Sequence, residues 1–195
     1  MIRLRSILAV GVTTAATVAL VATPAQADTV DRHAHAHFDG ESSMYVDVTR
    51  PADGPTLVDV EWQQSACGLS GDVYVCDSVS RRAYDVPVTR FSFSLDAASL
   101  RATVPYQESR QHCEFVDDTE NCVREPETTG STELRVTWTA SGEPTRERRT
   151  GEDGTLYLTT RADTTVAGSG FGSSYDDPAN SFGVLSRVRS IPPAA

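Results

Sequence analysis

Apolar and polar residues alternate with a period of two over most of this chain. Met44, Val46 and Val48 share one face of residues 43–49, and Val58, Val60 and Trp62 oppose Asp59 and Glu61. Phe91, Phe93 and Leu95 form another apolar face, followed by Leu100, Ala102 and Val104. Leu134, Val136, Trp138 and Ala140 alternate with Glu133, Arg135, Thr137 and Thr139 in the cleanest run of all. Successive side chains of an extended strand point to opposite faces, so each run predicts a strand buried on one side. Residues 33–38 alternate as well, Leu156 and Leu158 mark a further strand, and Val184 and Val188 mark a last one. Turn formers separate these runs at residues 50–55, 96–99, 141–144 and 151–154, and Pro105 closes the strand before it. Residues 167–180, rich in Gly, Ser and Asp, predict a long loop. No stretch of helical period competes. About nine or ten short strands predict an all-β fold, an antiparallel β-sandwich, with a barrel as the alternative that gives the same one-dimensional pattern.

Two matched cysteine loops interrupt the pattern, Cys67 to Cys76 and Cys113 to Cys122, each with eight residues between its cysteines. The N-terminus says how to read them. Arg3 and Arg5 precede an uncharged apolar run over 7–22, and Ala25-Gln26-Ala27 before Asp28 has the small-x-small form of a secretory cleavage site. Residues 1–27 are therefore expected to be a signal peptide, 28–189 a single domain and 190–195 a flexible tail. The expected location is secreted and extracellular, with no membrane span after cleavage. In an exported chain an even cysteine count reads as a disulfide framework, and the absence of a Cys-x-x-Cys motif argues against a redox centre. Four cysteines allow three connectivities. The equal spacing favours Cys67–Cys76 and Cys113–Cys122, each closing a hairpin end, because cross-strand neighbours lie about as far apart as a disulfide needs.

The segment Leu95-Asp96-Ala97-Ala98-Ser99-Leu100-Arg101-Ala102-Thr103-Val104, then a local cysteine pair, then Leu134-Arg135-Val136-Thr137-Trp138-Thr139-Ala140-Ser141-Gly142-Glu143-Pro144, resembles a group of small secreted actinobacterial proteins of unassigned function. The resemblance covers the middle of the chain. It implies a secreted β-protein and brings no catalytic residues.

Charge narrows the partners. The formal net charge is −10, and residues 1–27 carry two arginines and no acid, so the remainder is more acidic still. That excess argues against nucleic acid and anionic membrane surfaces. Every basic residue is arginine, which reads as a codon bias toward GC rather than a phosphate-binding adaptation.

Several clusters are candidates for chemistry. His33, His35 and His37 project from one face of a strand, with neighbours ~6.8 Å apart along the backbone, close enough for a pair to chelate a metal ion. The alternative is an edge strand with solvated imidazoles. Asp117, Asp118 and Glu120, with Thr119 and Asn121, form an acidic turn without the glycine or spacing of a calcium loop. Tyr74 leaves the first cysteine loop and is a candidate contact. Trp62 and Trp138 occupy apolar-face positions and read as core. Arg146, Arg148 and Arg149 read as a solvated strand end. No phosphate loop, nucleophile elbow or His-Glu-x-x-His is present, so no catalytic residue and no cofactor is assigned. The expectation is a non-enzymatic extracellular binding protein whose partner is a protein or a polysaccharide, with its oligomeric state unassigned. The alternatives are a protease inhibitor presenting residues 68–75, and a metal-binding protein or small hydrolase using the histidine run.

Overall fold

A computed structural model describes residues 27–117 and 119–193. The expected signal peptide up to residue 26, Asp118 and the last two residues lie outside the described residues. Twelve strands follow in order: β1 (Thr29–Phe38), β2 (Ser42–Arg50), β3 (Thr56–Ser70), β4 (Val73–Val88), β5 (Phe91–Phe93), β6 (Ala97–Val116), β7 (Thr119–Arg124), β8 (Thr128–Ala140), β9 (Thr145–Thr150), β10 (Leu156–Gly170), β11 (Ser173–Tyr175) and β12 (Ser181–Ile191). A 3₁₀ turn, Pro178–Asn180, precedes β12 and is capped by Asp177.

All pairings are antiparallel, and two facing walls enclose one core as in a sandwich. The hydrogen bonding then closes the sheet. β1, β2, β3, β4 and β6 pair in succession, β8 joins β6 to β10, and β10 returns through β12 to β1. The result is a ring of eight strands, an even number, as an all-antiparallel closed meander requires. β5, β7, β9 and β11 are short additions outside this ring and account for the excess over nine or ten strands.

The predicted apolar faces point inward except on the last strand, where Gly183 and Leu185 hold the buried parity and Val184 and Val188 the opposite one. Ala34, Ala36 and Phe38 meet Met44, Val46, Val48, Val58, Val60, Leu100, Val104, Leu134, Val136 and Leu185 in one buried cluster. An eight-strand barrel has an interior just wide enough for side chains to fill, so this is a packed core. Trp62 and Trp138 are both part of it, as expected. Charged residues such as Asp47, Glu61, Arg101, Glu133 and Arg135 lie on the opposite parity, facing out. That is the reverse of a lipid-facing barrel, whose outer band is apolar. No helix among the described residues is long and apolar enough to cross a membrane.

Three departures from the sequence reading have local causes. Residues 167–180 are not one long loop, because β10 runs to Gly170 and β11 folds back on it. The glycines there serve close packing: a Cβ on Gly168 would lie 2.9 Å from the Phe38 ring and 3.0 Å from the carbonyl of Arg135. Pro105 does not end its strand, because β6 pairs with β8 through this position and with β4 only from Gln107 onward. A proline is tolerated where the side lacking its N–H has no partner strand. Ser190 and Ile191, placed in the tail, pair with Tyr157 and Leu156 as part of β12.

The strands overrun the ring at both ends. At one end β3, β4, β6 and β7 continue as a four-stranded ribbon that carries the cysteines, and at the other β9, β10, β12 and β1 form a second one. The turn between β10 and β11 covers the mouth at the cysteine end. Phe171 and Gly172 both have positive φ, 55° and 88°, the pattern of a type I′ turn, and an aromatic residue rarely adopts it. The Phe171 ring packs 5.8 Å from Trp62 and 5.2 Å from Tyr106, and its N–H donates to Thr132 Oγ1 at 2.9 Å. Packing holds the strained backbone in place.

Candidate functional site

The three histidines stand on the outer face of β1, as their spacing predicted. Each is engaged with a neighbour. His33 Nδ1 lies 3.4 Å from Thr49 Oγ1, His35 meets the Tyr45 ring edge to face at 4.5 Å, and His37 stacks on Phe182 at 5.0 Å while its Nε2 lies 2.9 Å from Asp39 Oδ1. Burial is the main cause that holds the His35 imidazole below its ordinary value, only partly offset by the nearby Asp47 carboxylate.

The acidic turn joins β6 to β7 at the tip of the cysteine ribbon. Asp117 takes a positive φ of 47° there, and Glu120 sits beside the second disulfide. Among the described residues, only Cys113, Glu120 and Cys122 bring three potential metal-ligand atoms within 4.8 Å of one another, and two of these are sulfurs joined in a disulfide. Tyr74 and Phe115 face each other across β4 and β6, with ring centroids 5.9 Å apart, on the same exposed tip. Residues 68–75 are paired backbone of the β3–β4 hairpin, turned tightly at Gly71 with φ 65°.

The strongest constellation lies at the other end. In β1, β2 and β12, the first residues that continue the inward parity beyond the core are arginines. Arg32 follows the parity of Ala34 and Ala36, Arg50 that of Val46 and Val48, and Arg187 and Arg189 that of Leu185. Arg146 and Arg148 of β9 pair with Thr160 and Leu158, which continue the inward face of β10. Strand pairing sets them side by side: Arg187 is opposite Arg32, and Arg32 is opposite Arg50. Directly opposed residues of antiparallel strands project to the same face. Arg32, Arg146, Arg148, Arg187 and Arg189 line a cup of about 720 Å³ together with Leu158, Thr160 and two acids, Asp28 and Glu147. Among the described residues, only one of these five has a carboxylate within 4.0 Å, where Arg189 meets Asp28. The sequence showed only Arg146 and Arg148 as part of a cluster. An arginine at inward parity just past a core run was the signal that would have found the rest.

Fold and site together define a closed antiparallel barrel with a filled interior, whose distinctive chemistry sits on its two ends. No known protein family, no curated protein and no solved structure matches the chain.

Proposed function

We propose that this is an extracellular binding protein and that the arginine cup takes an acidic polysaccharide. The observation that carries the reading is the register that sets Arg187, Arg32 and Arg50 in one row. Like charges directly opposite each other on neighbouring strands destabilise a sheet, and a bound anion reverses that cost. Five of the chain's seventeen basic residues line this face against two acids, Asp28 and Glu147, so a chain of formal net charge −10 carries a local excess of positive charge there. Guanidinium groups match carboxylate and sulfate oxygens two at a time, so repeated anionic groups along a glycan suit a surface of this kind. Two disulfides support an oxidising, extracellular setting. The function needs no reaction at the cup, only the charge and its spacing.

Calorimetric titration of the whole protein with dextran sulfate, polygalacturonate and uncharged dextran tests this. Binding of one of the two acidic polymers, absent for uncharged dextran and weakening steeply with salt, is the expected result. The double change Arg32→Ala and Arg187→Ala should weaken it at least tenfold. Equal binding of the uncharged polymer, or affinity untouched by the double change, overturns the reading.

A further inference from the structure

All four cysteines stand in one row of the ribbon. Cys67 faces Cys76 across β3 and β4, Cys76 faces Cys113 across β4 and β6, and Cys113 faces Cys122 across β6 and β7. Opposed residues share a face, so all four sulfurs emerge on the same side. The bonded pairs are the outer two, Cys67–Cys76 and Cys113–Cys122, each with Cα atoms 4.1 Å apart. That spacing is the narrow, non-hydrogen-bonded class of antiparallel pair. A residue in the narrow class toward one neighbour turns its N–H and C=O toward the other, which makes Cys76 and Cys113 a wide pair with Cα atoms ~5.5 Å apart. A disulfide spans that distance readily. A third bridge is therefore open between the two that exist.

Exposure and polar contacts give the row a direction. Cys67 and Cys122 at its ends are exposed, whereas Cys113 is buried. Gln111 Nε2 donates to Cys113 Sγ at 3.2 Å, and Glu120 Oε1 lies 3.1 Å from Cys122 Sγ. A thiolate arriving from solvent reaches Cys122, and the charge it displaces onto Cys113 is stabilised by the amide N–H. Attack in the opposite sense would strike a covered sulfur and leave charge on Cys122 beside a carboxylate. Leaving-group stability and access both set the rate of thiol–disulfide exchange.

We propose that the row is a disulfide relay that oxidises dithiols. One thiolate of the dithiol bonds to Cys122 Sγ, the Cys113–Cys122 bond breaks, and its electron pair stays on Cys113 Sγ. The Cys113 thiolate then attacks Cys76 Sγ, forming the Cys76–Cys113 bond and expelling Cys67, which takes up a proton. The second thiol of the dithiol attacks its own sulfur in the mixed disulfide, leaves as a cyclic disulfide and releases Cys122 as a thiol. The dithiol loses two electrons and two protons, and the protein passes from two bridges to one. The surviving bridge ties β4 to β6, and the two hairpin ends lose their braces.

Treatment of the whole protein with one equivalent of dithiothreitol, acid quenching, alkylation and peptide mapping reads the outcome directly. Alkylated Cys67 and Cys122 with an intact Cys76–Cys113 bridge is the expected product. Alkylation of Cys113 with Cys122, or of Cys67 with Cys76, while the other bridge stays intact overturns the relay. Gln111→Leu should slow loss of the Cys113–Cys122 bridge at least threefold with an unchanged circular dichroism spectrum, and an unchanged rate rejects Cys113 as the leaving sulfur. The paired change Cys67→Ser and Cys122→Ser should close Cys76–Cys113 on refolding in a glutathione buffer; two free thiols in that folded variant count against the relay.

Discussion

Arg81 and Glu108 face each other across β4 and β6 at the cysteine end of the barrel, with Arg81 Nε 2.6 Å from Glu108 Oε2. Both side chains are largely covered, at 18% and 10% exposure. The second carboxylate oxygen accepts from Arg110 Nε at 2.8 Å, and Arg81 also donates to the Phe171 carbonyl at 3.2 Å. Its guanidinium lies 4.5 Å from the centre of the Trp62 ring. Nearby, the Tyr175 hydroxyl accepts from Trp62 Nε1 at 3.1 Å and lies 2.7 Å from Ser42 Oγ. A buried ion pair of this kind is favourable only when its remaining donors and acceptors are satisfied, and here they largely are.

Glu108→Gln leaves the Arg81 cation covered and without its counter-charge. The expected loss is roughly 3 kcal/mol, seen as a lower urea midpoint. Hydrogen bonds from Arg81, then from Arg110, hold the Glu108 carboxyl below its ordinary value of 4.5, against the opposing effect of burial. Its contribution is therefore complete above that value and is lost as pH falls through the lower folded value. The variant should show a flatter acid limb of stability against pH.

Phe171 separates two contributions at one position. Phe171→Ala and Phe171→Gly both remove the ring that covers Trp62 and Tyr106, but only glycine adopts the positive φ without strain. The glycine variant should be the more stable of the two by about 1 kcal/mol in urea denaturation.

Glycine substitutions should divide sharply by position. A Cβ on Gly183 would lie 2.5 Å from Val166 Cγ1 and 2.6 Å from the His35 carbonyl, whereas one on Gly68 meets nothing within 4 Å. Gly183→Ala is expected to cost about 3 kcal/mol and Gly68→Ala less than about 0.5 kcal/mol. Thermal melts of the two variants side by side check both.

Thr164 Oγ1 is buried without a hydrogen-bond partner among the described residues. Replacement by the similarly shaped valine removes that unsatisfied hydroxyl, so Thr164→Val should raise stability by about 1 kcal/mol. A urea midpoint equal to or below that of the parent protein counts against it.

Two histidines should titrate in opposite senses. Burial holds His35 below 6.5, so stability falls as pH drops below 6.5 and this imidazole is forced to charge. The hydrogen bond that His112 Nδ1 donates to Asp77 Oδ1, at 2.7 Å, raises His112 above 6.5; its contribution is present below 6.5 and is lost as pH rises through the higher folded value. Proton NMR of the imidazole resonances should place the His35 midpoint below that of His112.

Much of the fold was legible because alternation is a local property. Met44, Val46 and Val48, or Leu134, Val136 and Trp138, announce both the strand and the face it buries, since the pleat sends every second side chain the same way. The local disulfides were legible for the same reason, their cysteines being close in sequence and evenly spaced. Closure was not. A sandwich and a barrel ask the same pattern of each strand, and only the pairing of β8 with both β6 and β10 joins the walls into a ring. Neither were the arginine cup and the cysteine row. Arg32 meets Arg187, and Cys76 meets Cys113, through strand register between distant segments, which no short window of sequence contains. The sequence by itself determined which face most of the strands bury. The tertiary structure alone decided which residues stand beside one another, because register is fixed by the packing of the whole core and by no residue's own neighbours in the chain.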